Sequence, residues 1–192
     1  LLAAVRHANS LQKPLAEFSK ADFPLPLLSL KIQNWRDAVQ KGMGVQVVRG
    51  LPVEEWRQEE AEIVFWCLGL HMGRPGGQNV KQDLLGHVTN TGSAIKDSSV
   101  RLYETASNIA YHCDAADVVG LLCLKSAKSG GKSRIVSSVR VFNELIKQKP
   151  DLAARLFKPV KLDIRSEGSK SGVNYIPVTP CRFDGETLRT FY

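Results

Sequence analysis

Residues 110–134 read A-Y-H-C-D-A-A-D-V-V-G-L-L-C-L-K-S-A-K-S-G-G-K-S-R, and two chemistries meet in this run. His112 and Asp114 stand two residues apart. On extended backbone, positions i and i+2 point to the same side, so an imidazole nitrogen and a carboxylate oxygen can reach one metal ion. A third ligand from elsewhere, usually a second His, would complete a 2-His-1-carboxylate facial triad. Its open positions suit an Fe(II) that must take up a cosubstrate and O2. At the other end of the run, Gly130-Gly131-Lys132-Ser133 has the form of the tail of a phosphate-binding loop.

The phosphate-loop reading fails on spacing. G-x-x-x-x-G-K-[ST] requires Gly at position 126, which is Ser126. The residues after Ser133, R-I-V-S-S-V, read as a strand, whereas such a loop aims the N-terminus of a following helix at the phosphates. A polar turn between two strands is the plainer account of K-S-G-G-K-S.

H-x-D alone is a weak signal. It arises by chance in about one chain in five of this composition, and a hydrogen-bonded His–Asp pair would explain it. The flanking residues are more specific. The run N-I-A-Y-H-C-D-A-A-D-V-V-G-L-L-C-L-K-S-A-K-S-G-G-K-S resembles the iron(II)/2-oxoglutarate-dependent dioxygenases of the taurine dioxygenase (TauD/TfdA-like) family. In that family H-x-[DE] precedes a strand and then G-G-x-[ST]. The earlier G-V-Q-V-V-R-G-L-P-V, a helix, and L-G-L-H-M-G-R-P are similar to the family's N-terminal strand, helix and turn. The resemblance covers about residues 42–140.

The resemblance implies a double-stranded β-helix (jelly-roll) oxygenase core, with His112 and Asp114 as iron ligands. It places the Ser133 hydroxyl on the far carboxylate of 2-oxoglutarate, where a charge-assisted hydrogen bond is stronger than a neutral one. Asn108 and the nearby Tyr111 fall close to the substrate position, with side-chain packing as the competing role for each. The implied reaction is hydroxylation or desaturation of a small molecule by Fe(2+) and O2, with 2-oxoglutarate leaving as succinate and CO2. The chain departs from the pattern in one respect. No His follows His112, whereas the family's second His, and an Arg about ten residues later, come further along. Arg165, Arg182 and Arg189 occur without that His. The expectation is a fragment of a longer protein. A non-catalytic module that keeps the fold and binds a small anion or a protein is the alternative. His71 and His87 are disfavoured as substitutes, since loop histidines are common.

The elements that must position these residues follow from pattern. The chain has 192 residues, 43% hydrophobic and 23% charged, ordinary for one globular domain. It divides into an N-terminal helical arm, 1–41, and a partial oxygenase core, 42–192. Residues 1–30 read as irregular, broken by Pro14, Pro24 and Pro26. Ile32, Trp35 and Val39 have helical spacing, closed by Gly42 and Gly44. G-V-Q-V-V-R-G, 44–50, reads as a strand. A helix follows, acidic at its start, with Ile63, Trp66, Cys67 and Leu70 on one face. Residues 71–99 read as a long loop.

Strands are expected at 100–105, 117–124 and 134–139, helices at 141–149 and 151–157, and extended segments at 160–165 and 173–178. A hairpin should turn at Asp184-Gly185. Helices first and mostly strands after make the class α+β. Cys67, Cys113, Cys123 and Cys181 have no C-x-x-C spacing and read as reduced thiols of a cytoplasmic protein. No apolar run is long enough to span a membrane. The net charge of +7 is scattered and accompanies no nucleic-acid motif. The pattern leaves the oligomeric state open.

Overall fold

The computed structural model describes residues 1–78, 82–89, 105, 107–114, 116–163 and 174–191. The chain splits into two compact units, one of Leu1–Gly86 with Gly120–Gly131, the other of His87–Val119 with Lys132–Tyr192.

The first unit is helical. Helix α1, Leu2–Ser10, buries Ala4, Val5 and Ala8, one face of the 3.6-residue repeat. This corrects the irregular reading of residues 1–30. Nine residues make a marginal helix alone, and this one forms because its apolar face joins a core with Phe23, Val64 and Cys67. The prolines act further on, where 3₁₀ turns at Leu15–Glu17, Lys20–Asp22 and Pro26–Leu28 carry the chain to α2. Helix α2, Ser29–Gln40, buries Ile32 and half-buries Trp35 and Val39, as their spacing predicts. Gly42 and Gly44 end it. A Cβ at Gly42 would lie 2.7 Å from the Ala38 carbonyl oxygen, and Gly44 adopts φ +77°. Both positions require glycine.

Helix α3, Gln58–Met72, is the expected acidic-start helix. The Glu60 carboxylate accepts the Arg57 backbone N–H at 2.9 Å, satisfying a donor at the helix start. Its buried residues are Ala61, Val64, Trp66 and Cys67, while Ile63 and Leu70 pack partly buried at its margin. The helix runs through His71, so the loop begins at Gly73. Residues 79–81 and 90–99 of that loop lie outside the described residues.

The run 44–50 is not a strand; it is irregular backbone with Val47 63% exposed. The same holds for 117–124, where Leu121 is 75% exposed, and for 134–137, where Ile135 is 71% exposed. β-Branched runs favour extended backbone but become strands only when a neighbour supplies ladder partners. Among the described residues none pairs with these three. The expected strand 100–105 lies outside the described residues apart from Thr105.

The second unit places two helices before two small ladders. Helix α4, Ser138–Gln148, starts three residues before the predicted helix, because the Ser137 hydroxyl accepts the Arg140 backbone N–H as an N-cap. Pro150 opens α5, Pro150–Arg155, at the first helical position, where its missing N–H costs nothing. Phe142 and Phe157 meet edge to face at 5.6 Å. Strand β1, Val160–Asp163, pairs antiparallel with β2, Tyr175–Val178, in the register Val160↔Val178. Strand β3, Cys181–Phe183, pairs with β4, Leu188–Thr190, in the register Cys181↔Thr190. These strands fall within the predicted extended segments 160–165 and 173–178, whose residues 164, 165 and 173 lie outside the described residues.

The β3–β4 hairpin turns where expected. The Asp184 carboxylate accepts the backbone N–H groups of Glu186 and Thr187 at 3.1 and 2.8 Å, and Gly185 adopts φ +100°. Buried Ala153 and Cys181 sit where β3 meets the end of α5, the Cys181 N–H donating to the Leu156 carbonyl at 2.9 Å. Helices precede strands, as the α+β reading requires. The ladders of the described residues are two pairs, which by themselves do not make a double-stranded β-helix.

Candidate functional site

His112 and Asp114 belong to the second unit and lie on exposed, non-helical backbone. Their side chains converge: Nε2 of His112 is 3.7 Å from Oδ1 of Asp114. That distance exceeds hydrogen-bond reach, so the two groups face each other without a hydrogen bond. Both are about half exposed, at 52% and 57%. The other ring nitrogen is committed. His112 Nδ1 lies 2.8 Å from the Ala110 carbonyl oxygen, which can only accept, so Nδ1 carries the proton. In the neutral imidazole the lone pair then sits on Nε2, on the side of the carboxylate. A metal-binding His almost always has its second nitrogen tied in this way. The donor set, one imidazole lone pair and one carboxylate, fits two of the three protein positions of an iron facial triad.

The remaining predicted residues are placed more loosely. Asn108 is exposed and Tyr111 is 53% exposed, so packing, the competing role for each, has no buried contact to rest on. Ser133 is exposed and makes no hydrogen bond to His112 or Asp114 among the described residues. Just before it, Gly130 and Gly131 adopt φ +74° and +66° in succession, backbone that glycine enters without penalty. A Cβ on Gly131 would stand 3.0 Å from the Ala127 Cβ. The glycine pair of G-G-K-S is therefore a conformational requirement of a tight turn.

Among the described residues no group of three His, Cys, Asp or Glu is assembled. His71 is a structural residue of the first unit: its Nε2–H donates to the Phe23 carbonyl at 2.8 Å. Arg182 and Arg189 face each other across the β3–β4 ladder, and Arg189 lies 3.8 Å from Asp184. Arg165 lies outside the described residues. Sequence reasoning missed the Ala110 carbonyl as the group that orients His112, since any residue can supply a carbonyl and no side-chain pattern marks it. Among the described residues no helix is long and apolar enough to cross a membrane.

Comparison with known proteins adds a second line. Residues 11–172 match the model of the family described as "Taurine catabolism dioxygenase TauD, TfdA family". Two curated relatives are similar over most of this chain. FR-33289 synthase of Streptomyces rubellomurinus is 27% identical over 168 residues, which cover 87% of this chain and 50% of that protein. The taurine hydroxylase-like protein SAT17 of Stachybotrys chartarum is 26% identical over 145 residues, 72% of this chain and 38% of its own length. The chain thus spans half or less of the relatives it matches.

Proposed function

The chain belongs to the taurine catabolism dioxygenase TauD, TfdA family, and from that premise we propose that the protein is an iron(II)- and 2-oxoglutarate-dependent oxygenase acting on a small molecule. The observation that carries the reading is the His112 ring. Its Nδ1 is held by the Ala110 carbonyl, and its Nε2 faces Asp114 at 3.7 Å. In this reading His112 and Asp114 are two iron ligands. Residues 1–41 form a helical arm, and residues 42–192 contribute to a double-stranded β-helix core of the family type.

Bound at this site, iron(II) supplies the oxidising chemistry, with 2-oxoglutarate and O2 as cosubstrates and succinate and CO2 as products. The protein's own part is positioning. The Ala110 carbonyl keeps the imidazole in one tautomer and one orientation. Asp114 brings the negative charge that an exposed imidazole alone cannot. The positive φ of Gly130 and Gly131 turns the backbone so that Ser133 emerges from a tight bend, and its hydroxyl donates to the far carboxylate of 2-oxoglutarate. Asn108 and Tyr111, exposed and four and one residues before His112, meet the substrate. The relatives' names concern a synthase and a taurine hydroxylase-like protein. They support small-molecule oxidation here and leave the particular substrate to experiment.

The test is succinate release from 2-oxoglutarate by the protein as its cell makes it, with and without iron(II), across a panel of small acids and amines. Substrate-stimulated succinate that disappears with chelator is the expected result. Ligand binding indifferent to iron, with no succinate under any condition, would replace the oxygenase with a non-catalytic binding module.

A further inference from the structure

The turn that leads into Ser133 is built differently from the β3–β4 turn. In the hairpin, the Asp184 carboxylate holds two backbone N–H groups. Among the described residues no hydrogen bond joins any two residues of 124–134. The chain still bends back on itself between Ala127 and Gly131, where a Cβ on Gly131 would lie 3.0 Å from the Ala127 Cβ. Carbon atoms of different side chains meet at about 3.5–4.0 Å. Gly131 therefore lies against the Ala127 methyl, and a methyl of its own would push the two apart.

The two glycines of the turn differ in this respect. Both adopt positive φ, +74° at Gly130 and +66° at Gly131, which strains any residue with a Cβ. A Cβ on Gly130 would meet nothing within 4 Å, whereas one on Gly131 would meet Ala127. Gly130 is thus required by backbone conformation alone, and Gly131 by conformation and by fit. Ala127 is itself exposed and belongs to no buried cluster, so its small size serves no core. A turn without hydrogen bonds keeps its shape through the dihedral preferences of its residues and through fits of this kind.

We propose that Ala127 is a positioning residue for 2-oxoglutarate. Its methyl is the wall on which Gly131 rests, and this contact sets the direction in which the chain leaves the turn for Ser133, two residues on. The inference rests on the reading in which the Ser133 hydroxyl donates to the far carboxylate of 2-oxoglutarate. It adds that the hydroxyl reaches that carboxylate only while Ala127 and Gly131 keep their spacing. A hydrogen bond depends steeply on distance and direction. A displacement of about 0.5 Å, which a methyl on Gly131 would force, weakens that bond once it is carried to Ser133.

The experiment is an anaerobic calorimetric titration of the iron(II)-loaded protein, as its cell makes it, with 2-oxoglutarate and with 2-oxobutanoate. The two share the 2-oxo acid head, and only the first has a far carboxylate. The parent is expected to bind 2-oxoglutarate about tenfold more tightly than 2-oxobutanoate, and Ser133→Ala to remove most of that margin. Gly131→Ala should weaken 2-oxoglutarate about tenfold and leave 2-oxobutanoate within about twofold. Ala127→Gly should act in opposite directions in two backgrounds, because residues in contact couple. Alone it should weaken 2-oxoglutarate about twofold; added to Gly131→Ala it should strengthen it about threefold. It should bring no recovery to Gly130→Ala, where a Cβ faces open space. The same effect of Ala127→Gly in all three backgrounds, or parallel losses for both acids, would overturn the proposal. If Gly131→Ala does not fold, Ala127→Val, at an exposed position, decides. About fivefold weaker 2-oxoglutarate with 2-oxobutanoate unchanged is then expected, and unchanged 2-oxoglutarate refutes the proposal. A parent that binds neither acid in an iron-dependent way overturns the oxygenase reading and the proposal with it. A parent that discriminates between the acids without any coupling of Ala127 to Gly131 overturns the proposal alone.

Discussion

Replacing Asp114 by Ala separates a metal ligand from a structural ion pair. The carboxylate is 57% exposed, stands 3.7 Å from His112 Nε2 and makes no side-chain hydrogen bond among the described residues. An exposed pair of this kind contributes about 0–1 kcal/mol. Truncation at an exposed site with no buried partner adds about 0.5 kcal/mol at most. Asp114→Ala should therefore shift the unfolding free energy by no more than about 1.5 kcal/mol. Its effect on iron should be far larger. Removing an outer partner of a ligand lowers metal affinity about 10–100-fold, and loss of a ligand should exceed that. Urea unfolding followed by tryptophan fluorescence measures the first quantity, and anaerobic iron(II) titration measures the second. A variant that loses several kcal/mol of stability while binding iron(II) as the parent does would show that His112 and Asp114 are a structural pair, and the oxygenase assignment of these residues would fall.

Two predictions concern the framework. Phe23 is fully enclosed, so Phe23→Ala should cost about 3–5 kcal/mol in the same unfolding assay; a cost below 1 kcal/mol would show that the core of the first unit is not packed as described. Cys67 is fully enclosed, and burial pushes its thiol up from 9.0 to about 12. A raised folded-state value means that this contribution is intact below about pH 9 and is lost as pH climbs toward 12, at up to about 1.4 kcal/mol per pH unit. Cys67→Ala should remove that part of the alkaline slope, and a slope unchanged by the substitution would refute the assignment. In the native protein, a thiol reagent at pH 8 should label exposed Cys113 and Cys123 well before Cys67.

What the chain determines locally, it determines well. Acidic residues followed by an apolar run specify α3, because backbone dipole and side-chain periodicity act within a few residues. Asp-Gly specifies the β3–β4 turn, because the Asp184 carboxylate and the φ of Gly185 need nothing from outside the hairpin. The two-residue spacing of His112 and Asp114 was likewise legible as a converging pair. Features that depend on distant partners were not. The valine-rich runs at 44–50 and 117–124 look like strands, yet a strand exists only where another chain segment completes its hydrogen bonds. Residues 1–30 read as irregular because of their prolines, yet α1 forms at Leu2–Ser10 because its apolar face packs on α3, more than fifty residues away. The proton on Nδ1 of His112 is set by a backbone carbonyl that no residue type announces. Hydrogen-bond periodicity and turn chemistry are written in neighbouring residues; ladder pairing, enclosure and the satisfaction of a buried donor are settled by which surfaces the folded chain brings into contact.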